Sequence, residues 1–132
     1  MCGDSIRLEH METGRNLHSH NMRSPITNKN EVSAYGDDGE GDEGDNWIIE
    51  CLTKRDKVGN PGEKIYGNTI IQLKHKQTGT HLSCEKRNDY NHRNCPRCPI
   101  VGQLEANCAS RQSSHPIRWK ITSGMFFPEN EQ

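Results

Sequence analysis

The sequence predicts an all-β fold built from two copies of one unit of short strands, and two observations predict it. The first is an internal repeat. The segment SIRLEHMETGRNLHS (residues 5–19) matches IIQLKHKQTGTHLSC (residues 70–84) at a constant offset of 65 residues, with six identities. Self-similarity of this kind is the signature of repeat architectures. The second is the supply of turn-forming residues, since 12 glycines and 6 prolines favour many short elements over a few long ones.

The first unit alternates apolar and polar residues, which is typical of a half-buried strand. Ile6, Leu8 and His10 share one strand face, which we expect to point inward. A Thr-Gly hairpin turn at residues 13–14 follows, where glycine takes a positive φ without steric cost. Two further strands and a Trp-x-Ile closing strand complete the unit. We expect its inward face to comprise Leu17, Val32, Ala34, Trp47 and Ile49.

The second unit repeats this order. Ile71, Leu73 and His75 precede a second Thr-Gly turn, residues 103–107 match residues 30–34 loosely, and a second Trp-x-Ile follows at an offset of 72. Its predicted inward residues are Leu82, Leu104, Ala106, Trp119 and Ile121. We therefore divide the single domain, residues 1–132, into four segments: a first repeat (3–50), a charged connector (51–66), a second repeat (67–122) and a tail (123–132).

Composition excludes several function classes. The net charge of −1 argues against a nucleic-acid binder, which needs a basic surface to release counterions from phosphates. No segment approaches the ~18 consecutive apolar residues of a membrane span, and the opening MCGDSIRLEH lacks the apolar core of a secretory signal. Six cysteines in a chain with only 30% hydrophobic residues nevertheless favour an oxidising compartment.

The segments IRLEHMETGRNLHSHNMRSP and EVSAYGDDGEGDEGDNW, together with the Trp-x-Ile closers, resemble the MIR domain, and the first is similar to the stromal cell-derived factor 2-like proteins. The resemblance covers nearly the whole chain and is looser over residues 89–99. It implies a β-trefoil, of which this chain supplies only two of three lobes. We expect a fragment that lacks the first MIR repeat, or a chain that a partner completes, because two open barrel edges would otherwise be unpaired.

The resemblance implies a non-enzymatic protein of the endoplasmic reticulum lumen or secretory pathway. Stromal cell-derived factor 2-like proteins associate with a luminal J-domain co-chaperone and a heat-shock chaperone in protein quality control. This chain ends in PENEQ and carries no retention tetrapeptide. MIR modules of protein O-mannosyltransferases imply an alternative role in recognising carbohydrate or substrate. We expect no cofactor and no catalytic residue, because no serine or cysteine has a paired base and orienting group.

Two polar regions are candidates for partner or ligand contact. His18 and His20 share a strand face opposite Leu17, towards solvent or a neighbouring unit. Structural hydrogen bonding, partner contact and metal binding all remain open for this pair, and a metal would need a third ligand. With Arg23 and Ser24 they form one predicted contact loop. The acidic segment YGDDGEGDEGDN forms the other, with Asp37, Asp38 and Glu40; its spacing does not match an EF-hand, so a solvated, mobile loop is the simpler interpretation.

The cysteines divide into two groups. Cys2 and Cys51 bracket the first repeat, whose ends should lie close together, and the resembling family has cysteines at both places; we predict a disulfide between them. Cys84, Cys95, Cys98 and Cys108 allow three pairings, and zinc binding with His92 is an alternative. Cys95 and Cys98 form a Cys-x-x-Cys motif, so a thiol redox protein is a second alternative function.

Overall fold

The computed structural model describes residues 1–110 and 115–122, and within them the chain is all-β, which confirms the predicted fold class. One turn of 3₁₀ helix (Glu43–Asp45) is the single helical element of these residues. None of the helices described is long and apolar enough to cross a bilayer. The predicted tail lies outside the described residues. The eight strands are β1 (Ser5–Ile6), β2 (Glu9–His10), β3 (Arg15–Arg23), β4 (Asn30–Tyr35), β5 (Trp47–Cys51), β6 (Ile71–His75), β7 (His81–Ser83) and β8 (Asn107–Ala109).

The strands form one antiparallel sheet that curls into a half-barrel, in the order β1-β5-β6-β7-β8-β4-β3-β2. We call residues 3–50 the first lobe and residues 67–122 the second lobe. The longest ladder between the lobes joins β5 to β6, from Trp47 opposite His75 to Cys51 opposite Ile71. A second junction joins β4 to β8, where Asn30 lies opposite Cys108. The curl places the apolar faces of both lobes against one another.

Each lobe is closed by the same contacts at equivalent positions. Ile6 pairs with Trp47 in the first lobe, and Ile71 pairs with Trp119 in the second. The indole N–H of Trp47 donates to the carbonyl oxygen of Leu17, and that of Trp119 donates to the carbonyl of Leu82, both at 2.9 Å. The hairpin turns of the two lobes also have the same conformation, with φ values of 68° at Gly14 and 74° at Gly79. The internal repeat of the sequence is therefore a structural repeat.

The core consists of two apolar clusters that meet at Leu73 and Trp119. One surrounds Cys2, Cys51 and Ile71; the other surrounds the fully buried Trp47, with Leu82, Cys108, Ile6, Leu17 and Val32. The prediction that Leu8 and His10 face inward is wrong, since both are exposed. Their counterparts Leu73 and His75 lie inside because β5 covers that side of β6, whereas β1 and β2 are the edge strands of the sheet.

The predicted inward residues of the later strands also need correction. Ala34, Leu104, Ala106 and Ile121 are exposed. In the second lobe the strand equivalent to β4 begins later than predicted: β8 starts at Asn107, and Cys108 lies opposite Leu82 as Ala34 lies opposite Leu17, so Leu104 and Ala106 precede the buried strand. The segment between β7 and β8 is longer than its counterpart in the first lobe, which moves the strand along the sequence.

A buried carboxylate joins the lobes away from the apolar clusters. Glu105 is 1% exposed and accepts hydrogen bonds from Ser24 Oγ (2.9 Å), Thr27 Oγ1 (2.7 Å), the Ile26 N–H (2.6 Å) and Asn107 Nδ2 (3.1 Å). Burial by itself raises the pKa of this carboxyl, but the four donors outweigh it and hold the pKa below the ordinary 4.5. Glu105 therefore fixes the β3–β4 turn of the first lobe onto the second lobe.

Two disulfides are present among the described residues. Cys2 and Cys51 are bonded, with their Cα atoms 5.5 Å apart and both residues buried. Cys95 and Cys98 are bonded to each other within the inserted segment, and Cys84 and Cys108 are free. The Cys2–Cys51 bond ties the start of the first lobe to the end of its closing strand, 49 residues later.

Removal of the Cys2–Cys51 bond should destabilise the fold. In the chain-entropy model a loop of this length contributes about 4 kcal/mol. We expect the free energy of unfolding of a Cys2→Ser/Cys51→Ser variant to be lower than that of the wild type by about this amount. Urea denaturation without reductant measures the difference. Cys84→Ser is the matched control and should change the urea midpoint little, because that thiol is free and only partly buried. An unchanged midpoint in the double variant would contradict the assignment.

Candidate functional site

The β3–β4 hairpin carries most of the predicted contact residues but separates them into two groups. Its register runs from Asn16 opposite Tyr35 to Arg23 opposite Asn30. Arg23 therefore lies at the turn end of the hairpin, whereas the acidic segment begins beyond Tyr35 at the other end. His18 and His20 lie between the two ends. The structure does not bring the predicted contact residues together in one cluster.

The two histidines differ in exposure. His18 is buried, which corrects the expectation that it faces solvent or a neighbouring unit; its Nδ1 donates to Asp45 Oδ1 at 2.8 Å. His20 is half-buried, and its Nε2 lies 2.9 Å from Glu31 Oε1. The rings of the two histidines meet edge to face, with centroids 5.0 Å apart. His18 thus acts as an internal hydrogen-bond donor.

Ser24 is also buried, so the prediction that it belongs to a contact surface is wrong. Its hydroxyl hydrogen-bonds to Glu105 and Thr27 rather than to solvent. The physical reason is the inter-lobe network around Glu105, a residue that sequence reasoning missed. Nothing in the local sequence marks Glu105, because it lies where the two repeats match loosely. Arg23 is exposed and donates to the Asn28 carbonyl at 3.1 Å.

The exposed part of the acidic segment is a tight turn. Asp37 and Glu40 exchange two backbone hydrogen bonds, of 3.1 and 2.8 Å. Between them Asp38 and Gly39 have φ values of 50° and 81°, the left-handed conformation that an Asp-Gly pair adopts in two-residue hairpins. The Gly39 N–H donates to the carbonyl of Gly14, which anchors the turn on the Thr-Gly turn of the first lobe. Asp37, Asp38 and Glu40 all remain exposed.

The rest of the acidic segment is folded rather than a solvated loop. Asp42 caps the 3₁₀ turn by accepting from the Gly44 N–H, and Asp45 Oδ2 accepts in return from the Asp42 N–H, both at 2.8 Å. Asp45 is fully buried. A side chain at Gly44 would lie 2.5 Å from His18, so only glycine lets the turn pack this closely. The turn is fixed to β3 by these contacts.

His18, Asp42 and Asp45 place three metal-type ligand atoms within 4.8 Å of one another. These atoms already have partners in the protein. His18 Nδ1 binds Asp45, both Asp45 oxygens accept hydrogen bonds, and Asp42 Oδ1 accepts from the Gly44 N–H. We therefore interpret the cluster as a structural network that holds the 3₁₀ turn.

His75 of the second lobe holds the same turn from the other side. Its Nε2–H donates to the Gly44 carbonyl and its Nδ1 accepts from Thr78 Oγ1, each at 2.7 Å. The ring is fully buried against Trp47, with centroids 4.9 Å apart. Burial lowers the pKa of His75 below the ordinary 6.5 and outweighs the Gly44 carbonyl, which raises it; His18 and His20 lower it further, and Asp45 raises it.

A polar pocket of about 400 Å³ lies beside this turn. The half-exposed ring of Tyr35 forms one wall and stacks on His18 at a centroid distance of 4.7 Å. Buried Asn16 lies behind Gly36 and Gly41, and its Nδ2 has no hydrogen-bond acceptor among the described residues. The pocket is lined by Arg15, Tyr35, Gly36, Asp37, Glu40, Gly41 and Asp42. It combines an aromatic face, carboxylates and a guanidinium.

Sequence reasoning missed Asn16, Arg15 and Tyr35. For Asn16 a signal was available, because it shares its strand face with His18 and His20 at a spacing of two residues. Tyr35 joins them only through the register of β3 and β4, which places it opposite Asn16. No local pattern fixes that register.

The cysteines of the inserted segment form no metal cluster among the described residues. Cys95 and Cys98 are half-buried and bonded, and the segment that contains them is a series of turns. A redox-active Cys-x-x-Cys pair is normally activated by a helix N-terminus, and none is present in this part of the structure. Burial raises the pKa of the free Cys108 thiol, despite hydrogen bonds with Ser19 and Thr80.

Comparison with known proteins gives one family match. The family model described as the MIR domain matches residues 2–113. A "Stromal cell-derived factor 2-like protein" of Dictyostelium discoideum is 36% identical over 127 residues, which are 96% of this chain and 53% of that protein. The chain spans about half the length of the curated relatives it matches.

Solved structures of other proteins resemble this one. The SDF2-like protein from Arabidopsis thaliana superposes with a TM-score of 0.75 and 29% identity, covering 98% of this chain and 64% of that one. The protein O-mannosyltransferase Pmt1-Pmt2 complex of S. cerevisiae, solved with its sugar donor, gives a TM-score of 0.72 and 29% identity, covering 90% of this chain and 16% of that one.

The lowered pKa of His75 predicts that stability falls on acidification. His75 is neutral in the fold, whereas the unfolded chain binds a proton as the pH drops through 6.5. Below that pH the unfolded state binds more protons, so the free energy of unfolding decreases until the pH reaches the folded-state pKa. The slope of the free energy of unfolding against pH can be measured by urea denaturation at a series of pH values. We expect His75→Gln, which keeps a donor for Gly44, to reduce this slope.

His10→Gln is the matched control, because His10 occupies the equivalent position and binds Thr13 Oγ1 at 2.9 Å, but is exposed. It should leave the slope as in the wild type. A slope that His10→Gln removes and His75→Gln preserves would contradict this account.

Proposed function

The chain belongs to the MIR domain family, and on that premise we propose that it is a non-enzymatic protein of the stromal cell-derived factor 2-like type that acts in protein quality control. The observation that carries the proposal is the match with stromal cell-derived factor 2-like relatives over 95% or more of the chain. Its proposed location is the lumen of the endoplasmic reticulum, or another part of the secretory pathway. The disulfides support an oxidising compartment.

The proposed partners are a luminal J-domain co-chaperone and a heat-shock chaperone. Five exposed or half-exposed residues remain from the contact residues that the sequence indicates: His20, Arg23, Asp37, Asp38 and Glu40. The acidic turn is the more specific of the two regions. Three carboxylates on a rigid two-residue turn give a fixed negative surface, which favours a basic patch on the partner and speeds association. His20 and Arg23 form a separate, weaker candidate.

Removal of the charges of the acidic turn should weaken partner binding. We expect an Asp37→Asn/Asp38→Asn/Glu40→Gln variant to associate more slowly with the luminal J-domain co-chaperone, roughly tenfold at low ionic strength, with little change in dissociation. Asparagine retains the left-handed conformation at position 38. Biolayer interferometry at several salt concentrations measures both rates.

The control removes three exposed charges elsewhere, by Asp4→Asn/Glu12→Gln/Glu63→Gln. It has the same change in net charge. At high salt it should associate at the wild-type rate, and at low salt it should keep most of the wild-type association rate. If both variants slow association equally, net charge rather than the turn is responsible. If neither does, the acidic turn is not the contact.

The polar pocket favours a second candidate function, recognition of carbohydrate or a glycosylated substrate. A half-exposed aromatic face and carboxylate acceptors are groups that bind a sugar ring and its hydroxyls. The similarity to the O-mannosyltransferase complex supports this alternative. It differs from the chaperone proposal because the ligand would occupy a concave site rather than the exposed turn.

Calorimetric titration with a mannosyl peptide tests this candidate. We expect weak binding that Tyr35→Ala removes, because the ring forms one wall of the pocket. Tyr66→Ala is the matched control, since Tyr66 is 64% exposed and does not line this pocket. Wild-type protein that binds no mannosyl peptide, or that binds equally in both variants, would exclude the pocket as a sugar site.

A further inference from the structure

The inserted segment of the second lobe closes a small disulfide ring of its own. Cys95 and Cys98 are bonded within a single turn, in which the Cys98 N–H donates to the Cys95 carbonyl at 3.1 Å. Both residues are half-buried, whereas Cys2 and Cys51 are buried and lie 49 residues apart in the sequence. A short ring restricts the unfolded chain much less than a long loop does. The Cys95–Cys98 bond therefore contributes less to the stability of the fold than the Cys2–Cys51 bond.

The backbone of this turn has an unfavourable conformation. Pro96 is its second residue and Arg97 its third, and Arg97 has a φ of 62°. This left-handed conformation is rare for a residue with a Cβ atom, and glycine or asparagine is preferred at such a position. It persists where the surrounding structure enforces it. Because the disulfide closes the turn, opening the disulfide allows Arg97 to relax, which favours reduction.

The turn is also positively charged. Residues 90–104 contain two arginines, Arg93 and Arg97, and no carboxylate. Both arginines are exposed; Arg97 lies between the two cysteines, and Arg93 lies two residues before the first of them. Nearby cations favour the thiolate, which is both the attacking and the leaving species in disulfide exchange. The arginines thus supply the positive charge that a helix N-terminus supplies in other Cys-x-x-Cys pairs.

The hydrogen bonds that anchor the inserted segment lie outside the disulfide ring. The Tyr90 N–H donates to the Gln103 carbonyl at 2.8 Å, and the Gly102 N–H donates to the Tyr90 carbonyl at 2.7 Å. The Glu105 N–H donates to the Asn88 carbonyl at 2.9 Å, beside the network that joins the lobes. Opening the ring breaks none of these bonds, so the disulfide can be reduced while the protein stays folded.

We propose that Cys95 and Cys98 form a thiol–disulfide exchange site for small anionic thiols of the glutathione class, while the disulfide of the first lobe stays closed. One glutathione thiolate attacks a sulfur of the pair, forms a mixed disulfide and releases the other cysteine as a thiolate. A second glutathione thiolate attacks the glutathione sulfur of the mixed disulfide and releases oxidised glutathione and the remaining cysteine thiolate. Two electrons pass from two glutathione molecules to the protein, and each cysteine takes up a proton. The carboxylates of glutathione pair with Arg93 and Arg97.

Reduction in glutathione buffers tests the proposal, with the disulfide of the first lobe as the internal control. The Cys84→Ser variant is used because it removes the more accessible free thiol. The protein is equilibrated at a series of ratios of squared reduced to oxidised glutathione, trapped by alkylation and analysed by mass spectrometry, which locates the free cysteines. We expect Cys95 and Cys98 to become reduced at a ratio roughly a hundredfold lower than Cys2 and Cys51, with an unchanged circular dichroism spectrum. Reduction of both disulfides at one ratio, reduction of Cys2–Cys51 first, or unfolding when Cys95–Cys98 opens would each overturn the proposal.

The rate of reduction tests the role of the arginines in the same background. Arg93→Gln/Arg97→Gln should slow reduction by glutathione roughly tenfold at low ionic strength, whereas Arg93→Lys/Arg97→Lys should keep most of the rate. Reduction by the neutral thiol 2-mercaptoethanol should slow less, because it has no carboxylate to pair with a cation. Lys54→Gln/Arg55→Gln, which removes two exposed cations from the connector, is the matched control and should leave the rate close to that of the wild type. A glutamine variant of the arginine pair that keeps the wild-type rate, or that slows equally with both thiols, would overturn the assignment of an anionic-thiol site.

Discussion

The hydrogen bond from each closing indole to a leucine carbonyl of the same lobe is the contact on which the architecture depends. In the first lobe it holds the fully buried Trp47 against Leu17. That position fixes β5, and β5 in turn provides the edge along which the second lobe pairs. The second lobe repeats the bond between Trp119 and Leu82. Because a buried indole N–H without an acceptor is costly, this bond selects one register for each closing strand.

The same backbone carries different polar chemistry in the two lobes. In the first lobe the buried Asn16 and His18 lie behind the polar pocket, and His18 holds the 3₁₀ turn through Asp45. In the second lobe the equivalent positions are His81 and Ser83, which are buried, and His81 Nε2 lies 2.9 Å from Glu50 Oε1 across the lobe boundary. These positions thus lie behind a pocket in the first lobe and join the two lobes in the second.

The sequence predicts what is local and periodic. The Thr-Gly turns, the strands around them and the closing Trp-x-Ile segments follow from alternation and from the repeat. The errors arise where burial depends on a distant partner: Leu8 has the pattern of Leu73 but lacks a strand beside it, and His18 has the pattern of an exposed strand residue but is covered by Asp45. Glu105 could not be predicted, because three of its four donors come from residues 24–27 of the other lobe.

NMR of the two indole N–H groups measures whether one repeated contact closes both lobes. We expect two slowly exchanging indole protons, each with a nuclear Overhauser contact to its own leucine, Leu17 for Trp47 and Leu82 for Trp119. Trp119 should exchange faster than Trp47, because it is only partly buried. An indole proton of Trp119 that exchanges at the rate of a free indole and shows no contact with Leu82 would mean that the second lobe is not closed in this way.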